Sequence, residues 1–288
     1  MPTHTDAPRR LAVLIDADNV SASVIAPLLA EIANYGAATV RRIYGDWTLP
    51  NLGSWKAVLA EHSIVPIQQF RNTTGKNATD SAMIIDAMDL LHTGRLDGFC
   101  LVSSDSDFTR LASRIREQGV PVYGFGESKT PRAFIAACDR FVFTDVLTGR
   151  SGSGAGKAAP LKSAKGDAQL AALLRRVVDA SADETGWAAL GDVASRMAQQ
   201  ESDFDPRVYG FSRLRPLIEE IGIFDLEERP GAQGHKHLWL RNRRKGAEPV
   251  APETEGGETE SAGKGSKRGR RGGRKKSKAD KTDKADSK

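Results

Sequence analysis

Short apolar runs alternate with amphipathic stretches over the first half of the chain. Leu11-Ala-Val-Leu-Ile15 is followed by Val24, Ile25, Leu28, Leu29 and Ile32, a stripe at helical spacing. The same alternation continues to about residue 147 and predicts strands at 11–16, 38–45, 64–70, 99–104, 121–125 and 141–144. Helices are expected between them at 22–35, 54–62, 80–92, 106–118 and 131–139. Strand and helix in turn are the signature of βαβ units around a parallel sheet. Pro27 lacks a backbone donor and should delay the first helix. Gly36 stands where that helix needs a C-cap, and Gly119 where the fourth ends.

The pattern changes at residue 148. Residues 148–167 are rich in Gly, Ser, Ala and Lys, which predicts a flexible linker. From 168 to 242 the periodicity gives helices at 168–180, near 188–200 and near 211–221. A hairpin then pairs Phe224–Glu228 with His237–Leu240. Three helices and a hairpin suggest a winged helix. Residues 243–288 lack apolar content and should be disordered. The expected domains are therefore 9–147, a linker 148–167, 168–242, and a tail 243–288.

Charge follows these boundaries. The chain carries +5 overall, yet residues 243–288 alone hold 15 basic against 8 acidic residues, and both folded parts are slightly acidic. Two cysteines, Cys100 and Cys138, sit in apolar contexts and read as buried free thiols of a reducing compartment. Neither a secretory leader nor a membrane-length apolar run stands in the sequence, so a soluble, cytoplasmic protein is expected.

Candidate chemistry resides in four aspartates. Asp16 closes the first apolar run, Asp105 and Asp107 follow Phe99-Cys-Leu-Val102 after two serines, and Asp80 opens a helix. A parallel sheet gathers such positions at its carboxyl edge, where α/β proteins bind ligands. Capping a helix is the ordinary use of Asp80, Asp105 or Asp107 taken singly. It does not account for Asp16-Ala-Asp-Asn19, nor for all four falling where strands end. Crowded carboxylates take up protons or share a hard cation. With no His or Cys partners, the oxygen set suits Mg²⁺ or Mn²⁺ and phosphate chemistry. His235 and His237 share a strand face, but two ligands make no zinc site.

Residues 11–147 resemble the NYN domains, the LabA-like branch of the PIN-fold ribonucleases. The resemblance rests on Leu-Ile-Asp16-Ala-Asp-Asn19, on Lys76-Asn-Ala-Thr-Asp80 with Asp86 six residues later, and on Leu-Val-Ser-Ser-Asp105-Ser-Asp107-Phe108. Ser104 stands where such domains commonly have Gly. The resemblance implies a PIN-like three-layer α/β domain with a central parallel sheet that hydrolyses RNA phosphodiesters with a divalent metal. Asp16, Asp80, Asp105 and Asp107 would hold one or two Mg²⁺ or Mn²⁺ ions. Asn19 would orient a ligand or bond the substrate, and Ser104 would hold a water. Lys76, Lys129 and Arg132, on loops expected at the same edge, would cradle phosphates beside a helix N-terminus at Pro131. Asp18, Asp46 and Asp86 rank behind as supporting or surface acids.

Residues 168–242 resemble the OST-HTH, or LOTUS, domain through Gly186-Trp187-Ala-Ala-Leu190, Phe204-Asp-Pro-Arg207-Val-Tyr209-Gly210-Phe211, and the closing Phe224-Asp-Leu with Leu-Trp239-Leu. Tyr209-Gly210-Phe211 should enter the third helix. The resemblance implies a small α+β winged-helix domain that binds RNA, including G-rich RNA, or a protein partner. Arg207, Arg213, Arg215 and Lys236 form its expected basic face. In the tail, nine basic residues between Lys264 and Lys278 could tether RNA in a salt-sensitive way.

A metal-dependent ribonuclease is the leading reading. A noncatalytic RNA-binding adaptor is the second. A phosphatase of the haloacid-dehalogenase type is a minor third, because Asp16-Ala-Asp18 after a strand mimics its nucleophile motif. Asn19 in place of a hydroxyl residue, and no evident cap insertion, count against it.

Overall fold

The structure, a computed structural model, describes residues 7–70, 78–148, 160–230 and 236–243. Lys76, His235, most of the expected linker and nearly all of the tail lie outside the described residues. Six strands, β1 (Arg10–Asp16), β2 (Ala37–Gly45), β3 (Val65–Gln68), β4 (Gly98–Val102), β5 (Val122–Gly126) and β6 (Arg140–Phe143), form one parallel sheet. Their order is β3-β2-β1-β4-β5-β6. The chain winds outward from β1 on one side and from β4 on the other. The switch point, where an open α/β sheet leaves a crevice, therefore lies between β1 and β4. β4 and β5 are buried throughout, as is β1 beyond Arg10, which is why these strands read as unbroken apolar runs.

Helices α1 (Ile25–Ile32), α2 (Trp55–Glu61), α3 (Ala78–His92), α4 (Thr109–Glu117), α5 (Arg132–Ala137) and α6 (Thr144–Thr148) flank this sheet. The first helix starts late: a 3₁₀ turn at Ala22–Val24, capped by Ser21, precedes Ile25. Gly36 does not cap it. A side chain there would meet the Arg9 carbonyl at 2.4 Å, so glycine serves close strand approach rather than a left-handed turn. Gly119, at φ +74°, does end α4 in the left-handed region.

The second module comprises α7 (Ala168–Ser181), β7 (Ala188–Ala189), α8 (Leu190–Gln200), α9 (Leu214–Ile221) and the hairpin β8 (Phe224–Pro230) and β9 (Lys236–Asn242). The sheet has a third strand, unforeseen in the sequence: β7 pairs β9 antiparallel in the order β7-β9-β8. Two alanines are too short a run to read as a strand. The entry to the third helix also differs from expectation. Pro206–Tyr209 form a 3₁₀ turn, Gly210 turns left-handed at φ +82°, and α9 begins only at Leu214.

Residues 160–167, within the expected linker, are folded. Lys162 N–H donates to the Val208 carbonyl at 3.1 Å, Ala164 is buried, and Asp167 caps α7 by accepting from Gln169 and Leu170 N–H. The two modules touch directly. Val208 is buried in the core of the first module, and Tyr209 packs on both cores. On the outer strand of the parallel sheet, Phe141 N–H donates to the Ser202 carbonyl at 2.8 Å, which covers part of an edge otherwise open to pairing.

Candidate metal centre

Asp16 is the last residue of β1 and pairs in register with Tyr44 of β2. Its side chain is buried. Oδ2 accepts from Asn19 Nδ2 at 2.7 Å and from Ser103 Oγ at 2.8 Å, and Oδ1 accepts from Asp18 N–H at 3.0 Å. Burial pushes its carboxyl above the ordinary range, and these three donors pull it partly back. Asp80 stands in the first turn of α3, where the helix dipole favours a negative charge. Asp105 does cap the 3₁₀ turn Ser106–Phe108, accepting from Asp107 N–H at 2.9 Å. Capping and clustering are thus combined in one residue.

One carboxylate oxygen each from Asp80, Asp105 and Asp107 lies within 4.8 Å of the other two. Two unit charges at such a distance repel by about 3–4 kcal/mol at an effective dielectric of 20. The strain registers on Asp80, whose carboxyl is pushed up from 3.8 to about 6, first by burial and then by Asp16, Asp105, Asp107 and Asp18 in that order. Asp16 stands outside this three-residue cluster, its oxygens accepting from Asn19, Ser103 and Asp18 N–H, yet its charge is the one Asp80 feels most. A set made only of carboxylate oxygens fits a hard divalent cation such as Mg²⁺ or Mn²⁺, which would relieve that repulsion.

Ser103 is the residue that sequence reasoning missed. It follows β4, is fully buried, donates to Asp16 and accepts from Asp105 N–H at 3.1 Å, so it joins two of the acids. It stands beside Ser104 between the apolar run and Asp105, and no local signal separates the two serines. Ser104 is engaged elsewhere: its Oγ accepts from Glu127 N–H at 2.8 Å. Asn19 orients Asp16. Asp46 is buried and accepts from Thr48 and Gln68, while Asp86 accepts from Arg42 and Tyr44.

The two expected phosphate-binding cations among the described residues each pair with a carboxylate. Lys129 pairs with Glu127 at 2.7 Å and Arg132 with Asp203 at 2.7 Å. In the second module Arg215 pairs with Glu219 and Glu228, Lys236 with Glu228, and Arg213 is exposed just before α9. Arg207 is drawn inward, its guanidinium forked on Glu31 of α1 at 2.8 and 3.0 Å and also bonded to Asp205. It joins the two modules.

Carboxylates gathered at the switch point of an open parallel sheet fit a PIN-like α/β domain. Residues 10–147 match the family model of the NYN domain, and residues 162–235 that of the OST-HTH/LOTUS domain; the chain is an NYN-domain protein with an OST-HTH/LOTUS domain behind it. NYN domains belong to a nuclease family that generally uses divalent metals, and OST-HTH/LOTUS domains bind RNA. Among solved structures, a protein of unknown function from Vibrio parahaemolyticus is 19% identical, with 48% of this chain and 93% of that one covered at a TM-score of 0.40. An uncharacterized protein of Nitrosomonas europaea is 28% identical over 35% of this chain and 98% of its own, at 0.27. A Chromobacterium violaceum fragment is 29% identical over 27% and 85%, at 0.24. No curated protein matches the chain. Among the described residues no helix is long and apolar enough to cross a membrane.

Proposed function

We propose that the chain is a ribonuclease that hydrolyses RNA phosphodiester bonds with Mg²⁺ or Mn²⁺. The observation that carries this reading is the approach of Asp80, Asp105 and Asp107 within 4.8 Å of one another, at the carboxyl edge of the sheet where α/β proteins bind ligands. These three would hold the ion, with Asp16 adding negative charge from its buried position. Bound there, a divalent ion lowers the pKa of a water and polarises a phosphoryl oxygen. The protein's own groups do the positioning. Asn19 and Ser103 fix the Asp16 carboxylate, and the turn at Ser106–Phe108 presents Asp105 and Asp107 together. The OST-HTH/LOTUS domain supports RNA as the polymer, and it would hold the strand while the crevice cuts.

The test is cleavage of labelled RNA by the full chain with Mn²⁺, beside Asp80→Asn and Asp105→Asn. Cleavage abolished by EDTA and by both substitutions is the expected result. Equal cleavage by wild type and variants would mark a contaminant and end the proposal. A noncatalytic RNA-binding adaptor is the second reading. It draws on Lys129 and Arg132 each pairing with a carboxylate, Glu127 and Asp203. Tight RNA binding without cutting in any divalent metal would select it.

A further inference from the structure

Helix α3 carries Asp80, and its apolar pattern fixes only loosely how far it is rolled about its own axis. It buries Thr79, Met83, Ala87 and Leu91 against β1 and β2. At about 100° per residue, that every-fourth-residue stripe has two flanks. Asp80, Ile84 and Met88 lie on one side; Ala82, Asp86 and Leu90 lie on the other. Ile84 and Met88 are partly buried, as are Ala82 and Leu90, so both flanks already pack on the core. Even the outward face holds Ile85, which is 63% exposed. A helix with apolar side chains on both flanks of its buried stripe sets its own rotation only loosely.

The choice is made by a polar clamp. Asp86 accepts from Arg42 Nη1 on one carboxylate oxygen and from the Tyr44 hydroxyl on the other. Both donors stand on β2, two residues apart, and therefore on one face of the sheet. Tyr44 is itself fully buried and in register with Asp16. The clamp holds the Asp86 flank toward β2, which turns the Asp80 flank toward the 3₁₀ turn bearing Asp105 and Asp107.

We propose that Asp86 is a positioning residue: by accepting from Arg42 and Tyr44 it sets the roll of α3 and keeps Asp80 in the acidic crevice. The proposal rests on the nuclease reading for its consequence, but not for its geometry. With Asp86→Ala, the flank that runs from Ala82 to Leu90 becomes wholly apolar, and α3 settles onto it. Asp80 then swings toward solvent, Met88 with it, and Ile85 turns inward.

Thiol labelling of the full chain reads this directly, because the native Cys100 and Cys138 are buried. Ile85→Cys and Met88→Cys are each made with and without Asp86→Ala. The expected result is slower labelling at 85 and faster labelling at 88. Mn²⁺ affinity should fall about 10- to 100-fold, the usual cost of losing a group that orients a ligand. Unchanged rates with unchanged Mn²⁺ affinity overturn the proposal. So do rates that rise together at both sites, which signify a loosened helix rather than a rolled one. If Asp86→Ala fails to fold, Tyr44→Phe and Arg42→Met remove the donors and leave the helix sequence intact; the unpartnered Asp86 carboxylate then turns toward solvent, α3 rolls the other way, and slower labelling at 88 is required. Should the wild type neither bind Mn²⁺ nor cut RNA, the nuclease reading fails while the labelling still decides the clamp.

Discussion

Ser103 donates its hydroxyl to Oδ2 of Asp16 across 2.8 Å, joining the residue after β4 to the last residue of β1. The bond crosses the switch point of the sheet, and the serine oxygen also accepts from Asp105 N–H. Replacing Ser103 with alanine leaves a buried carboxylate short of a donor and an amide short of an acceptor. Ser103→Ala should cost about 1–3 kcal/mol in urea unfolding. It should weaken Mn²⁺ binding by about tenfold or more, because Asp16 loses its orientation. Calorimetric titration with Mn²⁺ checks the second point, and wild-type affinity in the variant would remove Ser103 from the site.

Asp80 makes the stability of the metal-free protein depend on pH. Its folded carboxyl titrates at about 6 against an ordinary 3.8, so the folded state holds the proton more tightly than the unfolded. The contribution to stability is fully present below the lower value and is lost as pH rises through the upper one. Asp80→Asn, which mimics the protonated acid, should match wild type below about pH 4. Above about pH 6 it should be more stable by about 1 kcal/mol, less than the whole shift implies because the site is half solvated. Adding Mn²⁺ should close that gap by stabilising wild type alone. Thermal unfolding across pH, with and without EDTA, measures all three.

Arg207 shows how a sequence reading can find the right residue type and give it the wrong neighbours. An arginine in a polar turn of an RNA-binding module reads as a phosphate ligand. Its side chain is only 15% exposed, and that of Glu31, 176 residues away, only 13%. Removing one partner of such a pair leaves an uncompensated buried charge, so Arg207→Ala should cost about 3 kcal/mol or more. Glu31→Gln, which keeps the acceptor, should cost less. If Arg207→Ala instead lowers RNA affinity with no change in melting temperature, the guanidinium belongs to the RNA face after all.

The sheet and the approximate place of every acid were legible because both rest on local patterns. Buried parallel strands are continuous apolar runs, and an aspartate ending such a run must lie at the carboxyl edge. What was not legible depends on pairing between distant residues. Nothing local distinguishes Ser103 from Ser104, yet one faces Asp16 and the other Glu127. The two-residue strand β7 exists only because β9 lies beside it, and Asp86 matters only through Arg42 and Tyr44. Nor does any spacing encode which acids come within 4.8 Å of one another, as Asp80, Asp105 and Asp107 do.

Gly126, the last residue of β5, sits against the same centre from behind. A side chain there would come within 2.6 Å of the Ser103 carbonyl and 2.7 Å of Thr130 Oγ1. Both neighbours are fixed. Ser103 N–H donates to the Phe125 carbonyl, and Thr130 Oγ1 donates to the Glu127 carbonyl at 2.6 Å. Backbone rather than a flexible side chain must therefore yield. Gly126→Ala should destabilise the protein by about 1–3 kcal/mol through overpacking. Its displacement of Ser103 should carry to Asp16, lowering Mn²⁺ affinity although residue 126 offers no ligand. Gly53→Ala, where a side chain meets the Pro50 carbonyl at a looser 3.2 Å, is the matched control. Comparable Mn²⁺ binding in the two variants would show that the strand behind the acids does not set their positions.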